Sequence, residues 1–166
     1  KNFKVGIIDA NAEHLDNSQV EKKIKNLKPR IICFVVYGQN VNAGTASMTG
    51  AVELSNYLKH KNKDYIISFV GSHVQALPVE TLKNEKSIDF VFTNEAVYAL
   101  HQILSLKEFA IDQLKTVNGI AYREQEKIRF GLPGKIVPNE LMDIDLPGYA
   151  WDLLPFKKKP LDLYRS

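Results

Sequence analysis

Runs of unbroken apolar residues alternate along the chain with stretches whose apolar positions recur every three or four residues. Ile31-Ile32-Cys33-Phe34-Val35-Val36-Tyr37 is apolar throughout and rich in β-branched side chains. That is the pattern of a strand covered on both faces, hence of a parallel sheet held between helix layers. Shorter runs stand at Val5–Ile8, Tyr65–Val70 and Ile88–Thr93. Residues 4–9, 31–37, 65–70 and 89–93 are therefore expected to be mutually parallel strands of one sheet. Between them, Val20, Ile24 and Leu27 form one apolar helical face. Ser18-Gln19-Val20-Glu21 reads as the capping box of that helix, and Pro29 as its stop. Met48, Val52, Ser55 and Leu58 mark a helix from about Thr45 to His60. Val97, Leu100, Ile103 and Leu104 mark another, entered through Asn94-Glu95.

After about Thr116 the periodicity changes. Gly119–Arg123 and Lys127–Phe130 alternate around Glu124-Gln125-Glu126, which reads as a β-hairpin. Prolines and glycines then interrupt every stretch to the end, leaving apolar anchors such as Leu141, Ile144, Tyr149, Trp151, Leu153 and Leu154 without a sustained period. The whole reads as an α/β fold: a Rossmann-like or flavodoxin-like parallel sheet sandwiched by helices, with a C-terminal β-hairpin and an extended tail. Residues 1–116 are expected to form the α/β domain, and residues 117–166 the hairpin and a linking strap.

Composition narrows the function classes. Of the 166 residues, 45% are hydrophobic and 25% charged, as in a soluble globular chain rather than a disordered or fibrous one. The longest apolar run is far below the ~20 residues that span a bilayer. A net charge of +3 is too small to argue for nucleic acid, and the cluster Lys22, Lys23, Lys25 and Lys28 reads as a solvated helix face. Cys33 is the lone cysteine, so no disulfide framework or thiolate metal cluster can form within the chain. The expectation is a cytoplasmic protein that engages neither nucleic acid nor membrane.

In open α/β sheets, ligands bind beyond the carboxyl ends of the strands. Here those ends read Asp9-Ala10-Asn11, Gly38-Gln39-Asn40, Gly71-Ser72-His73 and Thr93-Asn94-Glu95. Each is small or polar where an apolar strand stops. The residues expected to face a bound cofactor are thus Gly38, Gln39, Asn40, Gly71, Ser72, His73, Thr93, Asn94 and Glu95. Glycine or serine at such a crossing leaves room for a ligand to approach the backbone. The same residues also suit ordinary loops. No Walker-type phosphate loop and no G-x-G-x-x-G is present. The four histidines have no zinc spacing, and no nucleophile–base set or metal site stands out. The residues describe a binding module rather than a catalyst.

Several segments carry a family resemblance: Val5-Gly6-Ile7-Ile8-Asp9-Ala10, Lys28-Pro29-Arg30-Ile31-Ile32, Phe69-Val70-Gly71-Ser72-His73-Val74 with Leu77-Pro78-Val79-Glu80, and Ile88–Glu95. Val117–Arg123, Ile144-Asp145-Leu146-Pro147 and Tyr149–Pro155 complete the order. Together they resemble the cobalamin-binding N-terminal region of cobalamin-dependent radical S-adenosylmethionine enzymes, in particular the anaerobic magnesium-protoporphyrin monomethyl ester cyclase group. The resemblance implies a cobalamin-binding accessory region of an enzyme of methyl-transfer or cyclase type. An iron–sulfur cluster and S-adenosylmethionine would belong only to a downstream catalytic domain of the same polypeptide, since the C-x-x-x-C-x-x-C motif is not in this chain. The family's usual first strand and helix would precede Lys1. Gly71-Ser72 stands where the family has two glycines, and Asn94-Glu95 where it has glycine-glutamate. The D-x-H-x-x-G motif is missing, so cobalamin here would lack a histidine ligand from it. Two other readings remain beside this one: a degenerate flavodoxin-like interaction module, and a small-molecule-binding α/β domain of unrelated chemistry.

Overall fold

The structure is a computed structural model that describes residues 3–37 and 41–154, apart from the side chains of residues 41–46. It divides into two compact units. Arg30–Val137 form one; the segment up to Pro29 and that from Pro138 onward form the other.

The Arg30–Val137 unit is built on a five-stranded sheet in the order β1-β2-β3-β4-β5. Its strands are β1 (Ile32–Val35), β2 (Ile67–Val70), β3 (Phe90–Phe92), β4 (Ile120–Glu124) and β5 (Lys127–Phe130). β1, β2 and β3 are parallel, with Phe34 opposite Phe69 and Phe69 opposite Val91. The hairpin read from the sequence is β4–β5, and it joins the sheet antiparallel to β3 through Phe90–Tyr122 and Phe92–Ile120. The helices are α2 (Val41–Lys61), α3 (Ser72–Ala76), α4 (Pro78–Asn84), α5 (Val97–Ser105) and α6 (Ile111–Leu114). α2 begins about four residues before the expected Thr45, where alanine at 43 and 46 favours helix.

Burial on both sheet faces explains why β2 and β3 read as continuous apolar runs, whereas β1, expected to be covered on both faces, is an edge strand that leaves Val35 and the following Tyr37 exposed. Phe90, Phe92, Ile120 and Tyr122 turn to one face and pack with Ala99 and Ile103 of α5 and with Leu114 of α6. Their neighbours Val91 and Ala121 point the other way by strand alternation and are fully buried. α3 and α4 pack on the sheet, and α2 on α3. Arg30 locks the end of α5, donating to the carbonyls of Leu104, Leu106 and Lys107 with its guanidinium 5.3 Å from the Phe109 ring centroid.

The other unit contains α1 (Asn17–Leu27) and α7 (Met142–Asp145) with short 3₁₀ turns at Asn139–Leu141 and Trp151–Leu153. Two expectations are corrected here. Residues 4–9 form no strand. A strand exists only through a hydrogen-bonded neighbour, and among the described residues this unit contains none to pair with. Val5 and Ile7 are correspondingly exposed, and the chain turns back at Asp9, whose carboxylate accepts from the Ala12 N–H at 2.9 Å. The capping box of α1 is Asp16 with Gln19, not Ser18 with Glu21. Asp16 Oδ1 accepts from Gln19 N at 2.8 Å, and Gln19 Oε1 accepts from Asp16 N at 2.9 Å. Aspartate caps as well as serine, and here it stands two residues earlier. Lys28 ends α1 in a left-handed conformation, immediately before Pro29.

Candidate functional site

The carboxyl ends of the three parallel strands lie along one edge of the sheet, at Val36-Tyr37, Gly71-Ser72 and Thr93-Asn94. Because β4 runs the opposite way, it starts at this edge. The Thr93 N–H donates to the Gly119 carbonyl at 2.9 Å. The edge thus assembles Gly71, Ser72, His73, Thr93, Asn94 and Glu95 from the expected set. Gly38, Gln39 and Asn40 lie outside the described residues.

Gly71 crosses the end of β1 so closely that a Cβ would lie 1.9 Å from the Val36 carbonyl oxygen, and its φ of +149° is one that L side chains rarely adopt. Contact with the neighbouring strand is therefore enough to require glycine here. Ser72 is the more telling residue. Among the described residues its Oγ is buried and has no hydrogen-bond partner, a state it shares with Ser68 Oγ and Thr81 Oγ1. Buried hydroxyls are normally paired, and of the three open ones Ser72 alone stands at the carboxyl end of a strand. His73 follows in the first turn of α3, where its carbonyl accepts from Leu77 N.

Asn94 and Glu95 do something the sequence did not reveal. Asn94 Oδ1 accepts from Ala96 N at 3.0 Å, and Asn94 Nδ2 donates to the Lys135 carbonyl at 3.3 Å. Glu95 Oε1 accepts from Val137 N at 3.0 Å. Both side chains hold the segment after β5 across the end of β3. Gly134 makes that crossing possible: a Cβ there would lie 2.7 Å from Asn94 Nδ2. Gln75 is the other unforeseen member. Its Nε2 donates to the Asn94 carbonyl at 2.8 Å and to the Tyr37 hydroxyl at 3.2 Å, bridging the ends of β1 and β3. A glutamine within a five-residue helix carries no sequence signal for such a role. Gly119 and Gly134, flanking the hairpin on both sides, were the one available hint.

Cys33 lies on β1 opposite Ser68, and burial pushes its thiol above the ordinary range, with a smaller opposing effect from the Ser68 hydroxyl. Among the described residues, no three His, Cys, Asp or Glu side chains are grouped to hold a metal ion, and no helix is long and apolar enough to cross a membrane.

The B12 binding domain family matches residues 1–104. The chain belongs to that family. This B12-binding domain is 29% identical over 158 residues to an uncharacterized methyltransferase of Pyrococcus horikoshii, covering 95% of the chain and 32% of that protein. It is 24% identical over 154 residues to an anaerobic magnesium-protoporphyrin IX monomethyl ester cyclase of Synechocystis, covering 93% of the chain and 29% of the cyclase. It thus spans about a third of the length of these curated relatives. In fold it resembles the cobalamin-dependent S-adenosylmethionine radical enzyme OxsB with aqua-cobalamin bound. The TM-score is 0.54 at 18% identity, over 78% of this chain and 17% of OxsB. The apo form of OxsB gives 0.50 at 19% identity, over 73% and 16%. The α/β Rossmann-like class read from the sequence is the fold found.

Proposed function

We propose that the domain binds cobalamin along the carboxyl ends of β1–β3, as the cobalamin module of a longer radical S-adenosylmethionine enzyme of methyltransferase or cyclase type. The observation that carries this reading is the Ser72 hydroxyl at a strand end, buried and unpartnered among the described residues, in a chain of the B12-binding family. A hydroxyl that finds no partner among the described residues suits the polar nucleotide tail of cobalamin. Gly71, Ser72 and His73 would line the tail, with Gly38, Gln39, Asn40 and Thr93 at the corrin rim. Asn94 and Glu95 would act less by touching the ligand than by fixing the segment that closes this edge. Bound cobalamin would supply a cobalt centre that carries a methyl group, without a histidine ligand from a D-x-H-x-x-G motif. Iron–sulfur and S-adenosylmethionine chemistry would belong to another domain of the same polypeptide.

Ultraviolet–visible titration of the chain with hydroxocobalamin tests the proposal. Saturable spectral change is expected, abolished in Ser72→Trp where circular dichroism shows that variant folded, and largely kept in His73→Ala. No binding by the parent chain at ~100 μM, which means less than about 5.5 kcal/mol of affinity, would overturn it and favour an interaction module. Equal binding by Ser72→Trp would place the ligand elsewhere.

A further inference from the structure

Tyr37 and Gln75 give the carboxyl edge of the sheet a defined hydrogen-bond polarity. Gln75 Nε2 lies 2.8 Å from the main-chain carbonyl oxygen of Asn94 and 3.2 Å from the Tyr37 hydroxyl oxygen. A carbonyl oxygen only accepts, so the Gln75 amide has one possible orientation. Turned over, it would set its own oxygen against that of Asn94. Both hydrogens on Nε2 are then committed, one to Asn94 and one to Tyr37. The Tyr37 oxygen therefore accepts, and its own proton must point elsewhere. Among the described residues nothing receives that proton. Tyr37 is 50% exposed, so the group is within reach of a ligand. It stands just beyond β1, and the Gln75 bridge ties it to the end of β3, on the same edge as Ser72.

We infer that Tyr37 is a binding residue of this edge, donating its hydroxyl proton to an acceptor oxygen of the cofactor, and that Gln75 is the positioning residue that makes it a donor. The inference rests on the cobalamin reading of the edge and adds to it a contact of fixed polarity. Cobalamin offers two kinds of acceptor, the carboxamide oxygens around the corrin and the phosphate of its tail. Tyr37 adjoins Gly38, placed above at the corrin rim, so the acceptor is a carboxamide oxygen. In the free domain water takes the proton. The ligand thus exchanges one hydrogen bond for another, and the gain is modest.

Tyr37→Phe removes the proton and keeps the ring. In spectral titrations, with circular dichroism as the folding control, hydroxocobalamin should bind this variant about three- to tenfold more weakly than the parent. Cobinamide, which keeps the corrin carboxamides and lacks the nucleotide tail, should lose by the same factor. Gln75→Glu places an acceptor opposite Tyr37 that takes its proton, so it should weaken both ligands, and adding it to Tyr37→Phe should cost little more. Gln75→Leu breaks the same bridge to Asn94 without taking the proton, and should keep most of the affinity. Equal losses in Gln75→Leu and Gln75→Glu would overturn the positioning role. Unchanged affinity in Tyr37→Phe, with the parent binding, would overturn the inference and leave the cobalamin reading standing. A penalty confined to hydroxocobalamin would put the acceptor on the tail and overturn the carboxamide contact. No binding by the parent would overturn the inference together with the reading it rests on.

Discussion

Gly134 and Gly119 meet backbone to backbone where the chain leaves the hairpin: a Cβ built on Gly134 falls 2.8 Å from the Gly119 α-carbon. The Gly119 backbone cannot move aside, and the Asn94 amide is held by its hydrogen bonds with Ala96 and Lys135. Gly134→Ala should therefore destabilise the protein by about 1–3 kcal/mol, as overpacking does. A thermal melt reads this as a lowered Tm. It should also weaken hydroxocobalamin binding if the segment after β5 closes that edge.

Gly50 supplies the opposite case. It sits exposed inside α2, and a methyl group added there would meet nothing within 4 Å. Gly50→Ala should raise stability by about 0.5–1 kcal/mol, the usual gain in a helix interior. A fall in Tm would show that this face of α2 is covered.

Ser72→Ala separates stability from binding. Removing a buried hydroxyl that has no partner among the described residues should stabilise the free domain by about 1 kcal/mol. The same change should weaken cobalamin. Chemical denaturation and spectral titration read the two effects, and equal signs would contradict the role given to Ser72.

Glu124 gives a pH dependence with a defined sign. Hydrogen bonds from Lys115, at 2.7 Å, and Arg129, at 2.9 Å, hold its carboxyl below the ordinary value. The stability this contributes is present above the unfolded-state value of 4.5 and lost as pH falls through the lower folded-state value. The pair is solvated, so salt should screen it. The stability difference between the parent and Glu124→Gln should shrink toward zero in acid and in high salt.

Cys33 shifts the other way. Burial raises its thiol, so its contribution is constant below the unfolded-state value of 9.0 and fades as pH rises through the folded-state value. At pH 8 a thiol reagent should react slowly with the folded domain and rapidly once denaturant exposes the residue.

These positions show which features were legible in the sequence. Strand cores such as Phe69 and Phe90 declared themselves, because two-sided burial leaves no room for polar residues, whereas the equally apolar run at β1 belongs to an edge strand that leaves Val35 exposed. The hairpin was legible from alternation alone. Residues 4–9 misled, because an apolar run reports a preference for burial and says nothing of whether a pairing partner is at hand. Asn94 and Glu95 were found as polar residues at a strand end. Their engagement of Lys135 and Val137, some forty positions later, depends on contacts that local pattern cannot encode. Gln75 was missed for the same reason.

The sequential strand order has a kinetic consequence. Each strand pairs with the one before it in the chain, so no pairing waits for a distant segment to arrive. The hairpin closes through Glu124 opposite Lys127, the shortest loop in the sheet, and hairpins form within ~1–10 μs. Each parallel pairing must close a longer, helix-containing loop, at a cost that grows only slowly with length. Assembly should therefore run as stepwise addition along the sheet from the β4–β5 end, with β1 the last strand to dock and the first to fray.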